Sequence, residues 1–411
     1  MALARWIPMT RLMGRFVLLV CAVGISAHAQ QYQLTYTFTG VAGKNPNAQL
    51  IMDAAGNIYG TTASGGPSGG AGTVYKISSS GVVSRIHTFY YDELGGAPLG
   101  VTLDEQGNIY GTASRGGLFH PVCGTGVDSG CGLIYRLDPT GKETVLYRFT
   151  SLASGWGPFG QLTRDSAGNL YGVTQFGGGN FGGPCGFLGS EVCGVVFKID
   201  TRGNETVLHA FSGRKDGRMP RPQVIVDTSG NVYGVALEGG NFSGVCSRYS
   251  GCGVVYKVDQ TGKQTTLHAF NGADGISPQN FIADASGNMY GTTYTGGQYG
   301  GGTIFEIDAA GTFTTLYSFH DLPGPCVGLF RNSAGNFYSA SNGSVFEVDG
   351  GGNLTVLHSF SYADAADGLE PFAGPILDSQ GNLWGTTFYG GDSSNYACKN
   401  NGCGVVYKIT P

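Results

Sequence analysis

Chemistry in this chain would have to be built from few residues. Three carboxylates stand out: Glu238, Asp216 and Asp274. Cleavage of a glycosidic bond needs two carboxyls, about 5–5.5 Å apart for retention of configuration or about 6.5–9.5 Å apart for inversion. Glu238 with Asp216 or Asp274 is the pair on offer. Asp216, Asp274 and Asp367 each precede a glycine, and Asp-Gly is also an ordinary turn dipeptide. A second set would hold a ligand without changing it: Arg115, Trp156, Gln175, Phe176, Glu238, Tyr294, Phe388 and Tyr389. Aromatic rings of this set would stack on sugar rings or apolar patches, while its polar groups fix orientation. Histidine offers less. His87, His209, His268 and His358 share one position of a repeating phrase with Tyr36, Tyr147 and Tyr317, so that position wants a flat ring with a polar tip. His120 and His320 break the pattern and fall in loops. The sequence has no H-E-x-x-H, phosphate loop, calcium-loop repeat or dinucleotide fingerprint opening a helix, and no G-x-S-x-G at a strand-to-helix elbow. No cofactor and no metal are expected.

The elements that carry these residues follow from repetition. Asp-x-x-Gly-Asn-apolar-aromatic-Gly begins at Asp53, Asp104, Asp165, Asp227, Asp284 and Asp378, with a variant at Asn332. A second phrase follows each copy, as in GTVYKI from Gly72 to Ile77 and GVVYKI from Gly404 to Ile409. A third, such as VLHAF ending at Phe211, follows six of the seven. Each unit reads as four short strands. An Asp-capped turn joins the first two, with Gly-Asn supplying positive φ, and a glycine turn joins the last two. A turn is needed in every unit and a catalytic acid only once or twice, so the repeated aspartates read as turn residues.

Four-stranded units of about 50 residues repeated in this way predict an all-β fold, a seven-bladed β-propeller. The last unit lacks its fourth strand, and Leu34–Phe38 supplies the missing phrase. The N-terminal strand is therefore expected to complete the C-terminal blade and close the ring, which removes a sheet edge.

The phrases YGTT-x-x-GG and G-T-V-[YF]-K resemble the GloVer tandem repeats of secreted bacterial proteins, over nearly all of the chain. That family is defined by its repeats and surface-type location rather than by a reaction. Many members carry a C-terminal sorting tail, and this sequence ends at its last strand.

Composition agrees with a β fold. Glycine supplies 73 of 411 residues and charged residues only 12%. Residues 1–29 read as a signal peptide: Arg5, Arg11 and Arg15, then an apolar run from Phe16 to Ile25, then Ala27-His28-Ala29. Residues 30–411 read as one propeller domain. Without the leader, 20 of the 23 basic residues remain against 28 acidic ones, a formal charge of about −8. That balance disfavours nucleic acid and anionic membranes as partners, and no later stretch is apolar enough to insert in a bilayer. Eight cysteines form four close pairs in loops between second and third strands: Cys123/Cys131, Cys185/Cys193, Cys246/Cys252 and Cys398/Cys403. They read as disulfides of an exported protein, extracellular or periplasmic. Cys326 reads as a buried free thiol.

Length variation gathers in the loops between second and third strands and in the connections between blades, all on one face. The expected function is a secreted, monomeric binding protein that uses this face for an extracellular glycan or a surface protein. A glycan-cleaving hydrolase or lyase is the alternative.

Overall fold

The computed structural model describes residues 30–410, apart from 119–122, 124–129, 179–184, 186–192, 321–323, 326, 342, 363–364, 395 and 400. The leader, His120 and Cys326 lie outside the described residues. Strands form seven antiparallel sheets, the blades of a β-propeller. Blades 2, 3 and 5 have inner strands Gly96–Leu103, Trp156–Arg164 and Ile276–Ala283. In blades 1, 4 and 7 the inner strand is split into two pieces, Lys44–Pro46 and Ile51–Met52 in blade 1. Closure is as expected: Gln31–Thr37 pairs with Val405–Thr410 in blade 7, from Gln31 opposite Thr410 to Thr37 opposite Val405.

The repeated phrases become local geometry. Asp53 Oδ1 accepts the backbone N–H groups of Ala55 (3.0 Å) and Asn57 (2.8 Å). Its Oδ2 accepts Asn57 Nδ2 (2.8 Å) and Tyr59 Oη (3.0 Å). Only the glycine of the Gly-Asn pair takes a positive φ, 78° at Gly56; the asparagine contributes its side chain instead. The aromatic ring of the phrase also lies beneath a strand-three cation, with Lys76 Nζ 5.5 Å from the Tyr59 centroid. The glycine after that aromatic admits a fully buried ring from strand three: a Cβ on Gly60 would lie 2.4 Å from Tyr75 Oη.

Most of the apolar burial lies between sheets. Seven buried clusters form, one at each junction of neighbouring blades. Burial of this kind contributes roughly 25 cal/mol per Å² of apolar surface, so each blade depends on both of its neighbours. Two clasps reinforce the junctions that lead into blades 1, 2, 4 and 5. At the loop-face end of the inner strand, Asn45, Ala97, Met219 and Ser277 hold positive φ despite being non-glycine. Their N–H groups thereby reach the preceding blade, at Cys403, Ala71, Cys193 and Cys252 carbonyls, 2.7–3.0 Å away. The proline that follows each, such as Pro278, packs where a Cβ on the preceding blade's glycine, here Gly253, would come within 2.4 Å.

On the outside, the repeated His/Tyr position reaches the start of the next outer strand. His268 stacks on Phe313 at 3.7 Å and His358 on Tyr32 at 3.8 Å. His87 Nε2 lies 2.9 Å from Glu143 Oε2. These rings pack, as their alternation with tyrosine implies, and the polar tip finds a partner. In blade 3 the partner is unhelpful. Tyr147 Oη donates to Glu205 Oε2 at 2.6 Å, yet burial pushes the Glu205 carboxyl from its usual 4.5 up to about 7. A raised carboxyl pKa means that the folded state holds the proton more tightly than the unfolded one. Stability is therefore lost as pH rises from about 4.5 through about 7. Glu205→Gln is expected to raise the melting temperature at pH 8 and leave it unchanged at pH 4. An equal shift at both pH values in thermal melts would refute this.

Candidate functional site

Turns between first and second strands and between third and fourth strands form one face of the ring. Loops between second and third strands, with the blade connections, form the other. The two differ in surface chemistry. Eight aromatic side chains are strongly exposed among the described residues: Tyr90, Phe242, Tyr249, Tyr294, Tyr299, Tyr362, Phe372 and Tyr396. All belong to the loop face or to the channel beneath it. At the turn face the repeated aromatics are held back by their own aspartates, as Tyr59 is by Asp53.

The loops that present these rings are rich in Gly, Ser, Asn and Tyr, as in Gly239-GNFSGVCSRYSGC and Gly390-GDSSNYACKNNGC. All four expected disulfides are closed, with Cα–Cα distances of 4.9–5.3 Å. Each bridge ties its loop to the residue before strand three, whose carbonyl serves the clasp to the next blade at Cys131, Cys193, Cys252 and Cys403.

The residues singled out for binding are only partly brought together. Trp156 opens the inner strand of blade 3 rather than lying in a connection, and it stacks on Phe176 at 4.1 Å. Gln175 is its neighbour at the end of strand two. Phe388 and Tyr389 pack edge to face at 4.7 Å, and Phe388 meets Phe372 at 5.2 Å. Arg115 is exposed at the end of blade 2's second strand, and Tyr294 is exposed on blade 5. Glu238 faces Arg218 across its own blade and accepts from Arg218 Nε at 2.6 Å.

The two candidate acids sit elsewhere. Asp216 Oδ2 lies 3.2 Å from His209 Nε2 and accepts the Ser212 N–H at 2.8 Å. Burial alone would raise its pKa, but hydrogen bonds from His209 and Ser212 hold it below the usual carboxylate range. Asp274 Oδ2 lies 2.9 Å from His268 Nε2, and Oδ1 accepts the Asn271 N–H at 2.9 Å. Asp367 lies 3.0 Å from His358 in the same way. All three tie a blade connection to the outer strand before it. Among the described residues no group of three or more His, Cys, Asp or Glu is placed to hold a metal ion.

The inner strands enclose an axial channel, which is not open throughout. Gln223 of blade 4 donates through its amide to Gln49 of blade 1, two blades that lie across the axis from one another. Above this girdle is a cavity of about 110 Å³, to which every blade contributes.

The model of the Gloeobacter/Verrucomicrobia repeat matches residues 22–244 and again 178–398. The chain belongs to this repeat family. No curated protein matches this family member. Virginiamycin B lyase from Staphylococcus aureus is a similar solved structure, 12% identical, with 93% of this chain and 99% of that chain covered and a TM-score of 0.57. Its catalytically inactive form with quinupristin gives 0.59 at the same identity and coverage. The extracellular domain of a hybrid two-component system from B. thetaiotaomicron is 12% identical, with 92% of this chain and 41% of that chain covered and a TM-score of 0.53. At such identities the likeness is one of fold.

The exposed rings at Tyr90, Phe242, Tyr249, Tyr299, Tyr362, Phe372 and Tyr396 are the part of this surface that repeat-breaking positions do not reveal. For Phe242, Tyr249, Tyr299 and Tyr396 the signal is present in another form, aromatics embedded in glycine-, serine- and asparagine-rich loops.

Proposed function

We propose that this repeat protein is a binding module that works outside the cytoplasm and engages an extracellular glycan or a surface protein with its loop face. The observation that carries this reading is the segregation of all eight strongly exposed aromatic rings, among the described residues, to that face and its channel. Tyrosine offers a broad, rigid contact with a polar tip at low entropic cost, and Ser, Gly and Asn adapt their hydrogen bonding around it. Disulfide-tied loops lower the ordering cost of binding. Four disulfides also favour an oxidising compartment, and no helix among the described residues is long and apolar enough to cross a membrane.

Nothing in the geometry favours the cleaving alternative. Glu238 is engaged by Arg218, and Asp216 and Asp274 by histidines of outer strands.

The test is a glycan and surface-protein array, with released products measured in parallel. Retention without release is expected. Tyr294→Ala combined with Tyr299→Ala is expected to weaken retention at least about tenfold and Phe372→Ala alone about fivefold, since stacking on an aromatic contributes on the order of 1 kcal/mol per ring. Thr140→Ala on the turn face is expected to leave it unchanged. Retention that survives the loop-face changes would place the site elsewhere.

A further inference from the structure

The channel differs in charge on its two sides. Its upper cavity and the opening toward the turn face share Gln161 and Gln223, so a glutamine girdle divides two vestibules. The turn-side vestibule is lined by Asp104, Glu105 and Asp165 against one cation, Arg164. Hydrogen bonds from the local turn hold Asp104 below the usual carboxylate range against the burial that would raise it, so that side is negative at neutral pH. On the loop side no Asp or Glu among the described residues lines the cavity, and Arg221 is the one charged residue among those that do. In an acidic chain this is a local reversal of sign. The guanidinium of Arg221 lies over the Phe159 ring at 5.4 Å. Around it stand amides from Asn47 and Gln279 and the half-exposed ring of Phe372.

We infer that the loop-side vestibule binds a carboxylated sugar unit, a uronate. Arg221 answers the carboxylate, the amides answer hydroxyl groups, and Phe372 offers a flat face to the pyranose ring. A charge-assisted guanidinium–carboxylate contact is stronger and more directional than a neutral hydrogen bond. The acidic vestibule below the girdle opposes further passage, so the anion is held at the loop side. Room of about 110 Å³ suits one such unit rather than a polymer threaded along the axis. The inference rests on the loop-face binding reading and names the ligand class within it.

Calorimetric titration of the full chain with galacturonate, trigalacturonate, the methyl ester of trigalacturonate and neutral maltotriose tests it. Trigalacturonate is expected to bind at least about tenfold more tightly than its ester or maltotriose, as one hydrogen bond to a charged group contributes roughly 1.5–3 kcal/mol. That preference should shrink with salt. Arg221→Gln should abolish the preference, and Arg221→Lys should keep part of it, with unchanged near-UV circular dichroism in both. Binding of the monomer as well would assign a free uronate; binding of the trimer alone would assign a unit within a chain. Equal binding of acid, ester and maltotriose, or a preference that survives Arg221→Gln, would overturn this inference and leave the loop-face reading standing. Absence of binding by every saccharide here and across the array would overturn the inference along with the glycan form of that reading.

Discussion

A chain that lacks residues 30–38 is expected not to reach the native state. The lost segment is a whole outer strand, paired residue by residue with Val405–Thr410. It also carries ring contacts that tie blade 7 to both neighbours. Tyr32 stacks on His358 of blade 6, and Phe38 is fully buried against Tyr75 of blade 1 at 5.1 Å. Without it the fully buried Val405, Val406 and Tyr407 would face an open sheet edge. Burial of Phe38 alone is worth about 3 kcal/mol, and several backbone hydrogen bonds add about 1 kcal/mol each. The sum reaches the typical total stability of a domain, about 5–15 kcal/mol. Loss of the cooperative thermal transition and a shift to aggregates on size exclusion would be the signs. A point change, Phe38→Ala, should keep the fold but lose about 3–5 kcal/mol in denaturant titration. A truncated chain that melts as sharply and as high as the intact one would show that the ring does not depend on this closure.

Closure was legible because it is a matter of pattern. The phrase ending at Phe38 completes a count that the last repeat leaves short, and strand type and turn position recur seven times. The clasps were less legible. A positive φ at Ala97 or Met219 has no sequence signal, since neither residue favours it. The proline that follows each is visible but gains meaning only when the preceding blade's glycine is placed against it. The site was least legible. Positions that break the repeat, such as Trp156 and Phe176, were easy to find, but two large rings side by side satisfy each other and offer less surface. Asp216 and Asp274 look like spare acids until the outer-strand histidines reach them. Arg221 and Gln223 sit between the two pieces of blade 4's split inner strand, Arg218–Pro220 and Ile225–Val226, where the repeat is loose. Only closure of the ring brings Gln223 to Gln49, 174 positions away.

The disulfides carry the second large effect, which bears on why only some loops have them. In blade 1 the clasp carbonyl belongs to Ala71, and no bridge is present. Its loop between second and third strands runs only from Gly65 to Gly72, with Gly65 paired to Ala71 as Gly239 is to Gly251 and Gly390 to Gly402 in the bridged blades 4 and 7, so length is what sets it apart. In blades 4 and 7 the loop is about twice as long, and the bridge fixes the residue that must present its carbonyl to the next blade. The alternative is that the bridges only guard long loops against proteolysis. Closing a loop of five to eight residues' separation is worth about 2–3 kcal/mol in the chain-entropy model. Four such bridges therefore approach the whole stability of a domain. Replacing all eight cysteines by alanine is expected to leave no folded protein at 37 °C. Replacing Cys246 and Cys252 alone should cost about 2–3 kcal/mol and, through the Ser277 N–H to Cys252 carbonyl bond of 2.9 Å, loosen the junction of blades 4 and 5. Hydrogen exchange reads that second effect directly: the Ser277 amide should lose protection along with the loop. If exchange quickens only within residues 239–252 while Ser277 stays protected, the bridge guards its loop and does not support the clasp.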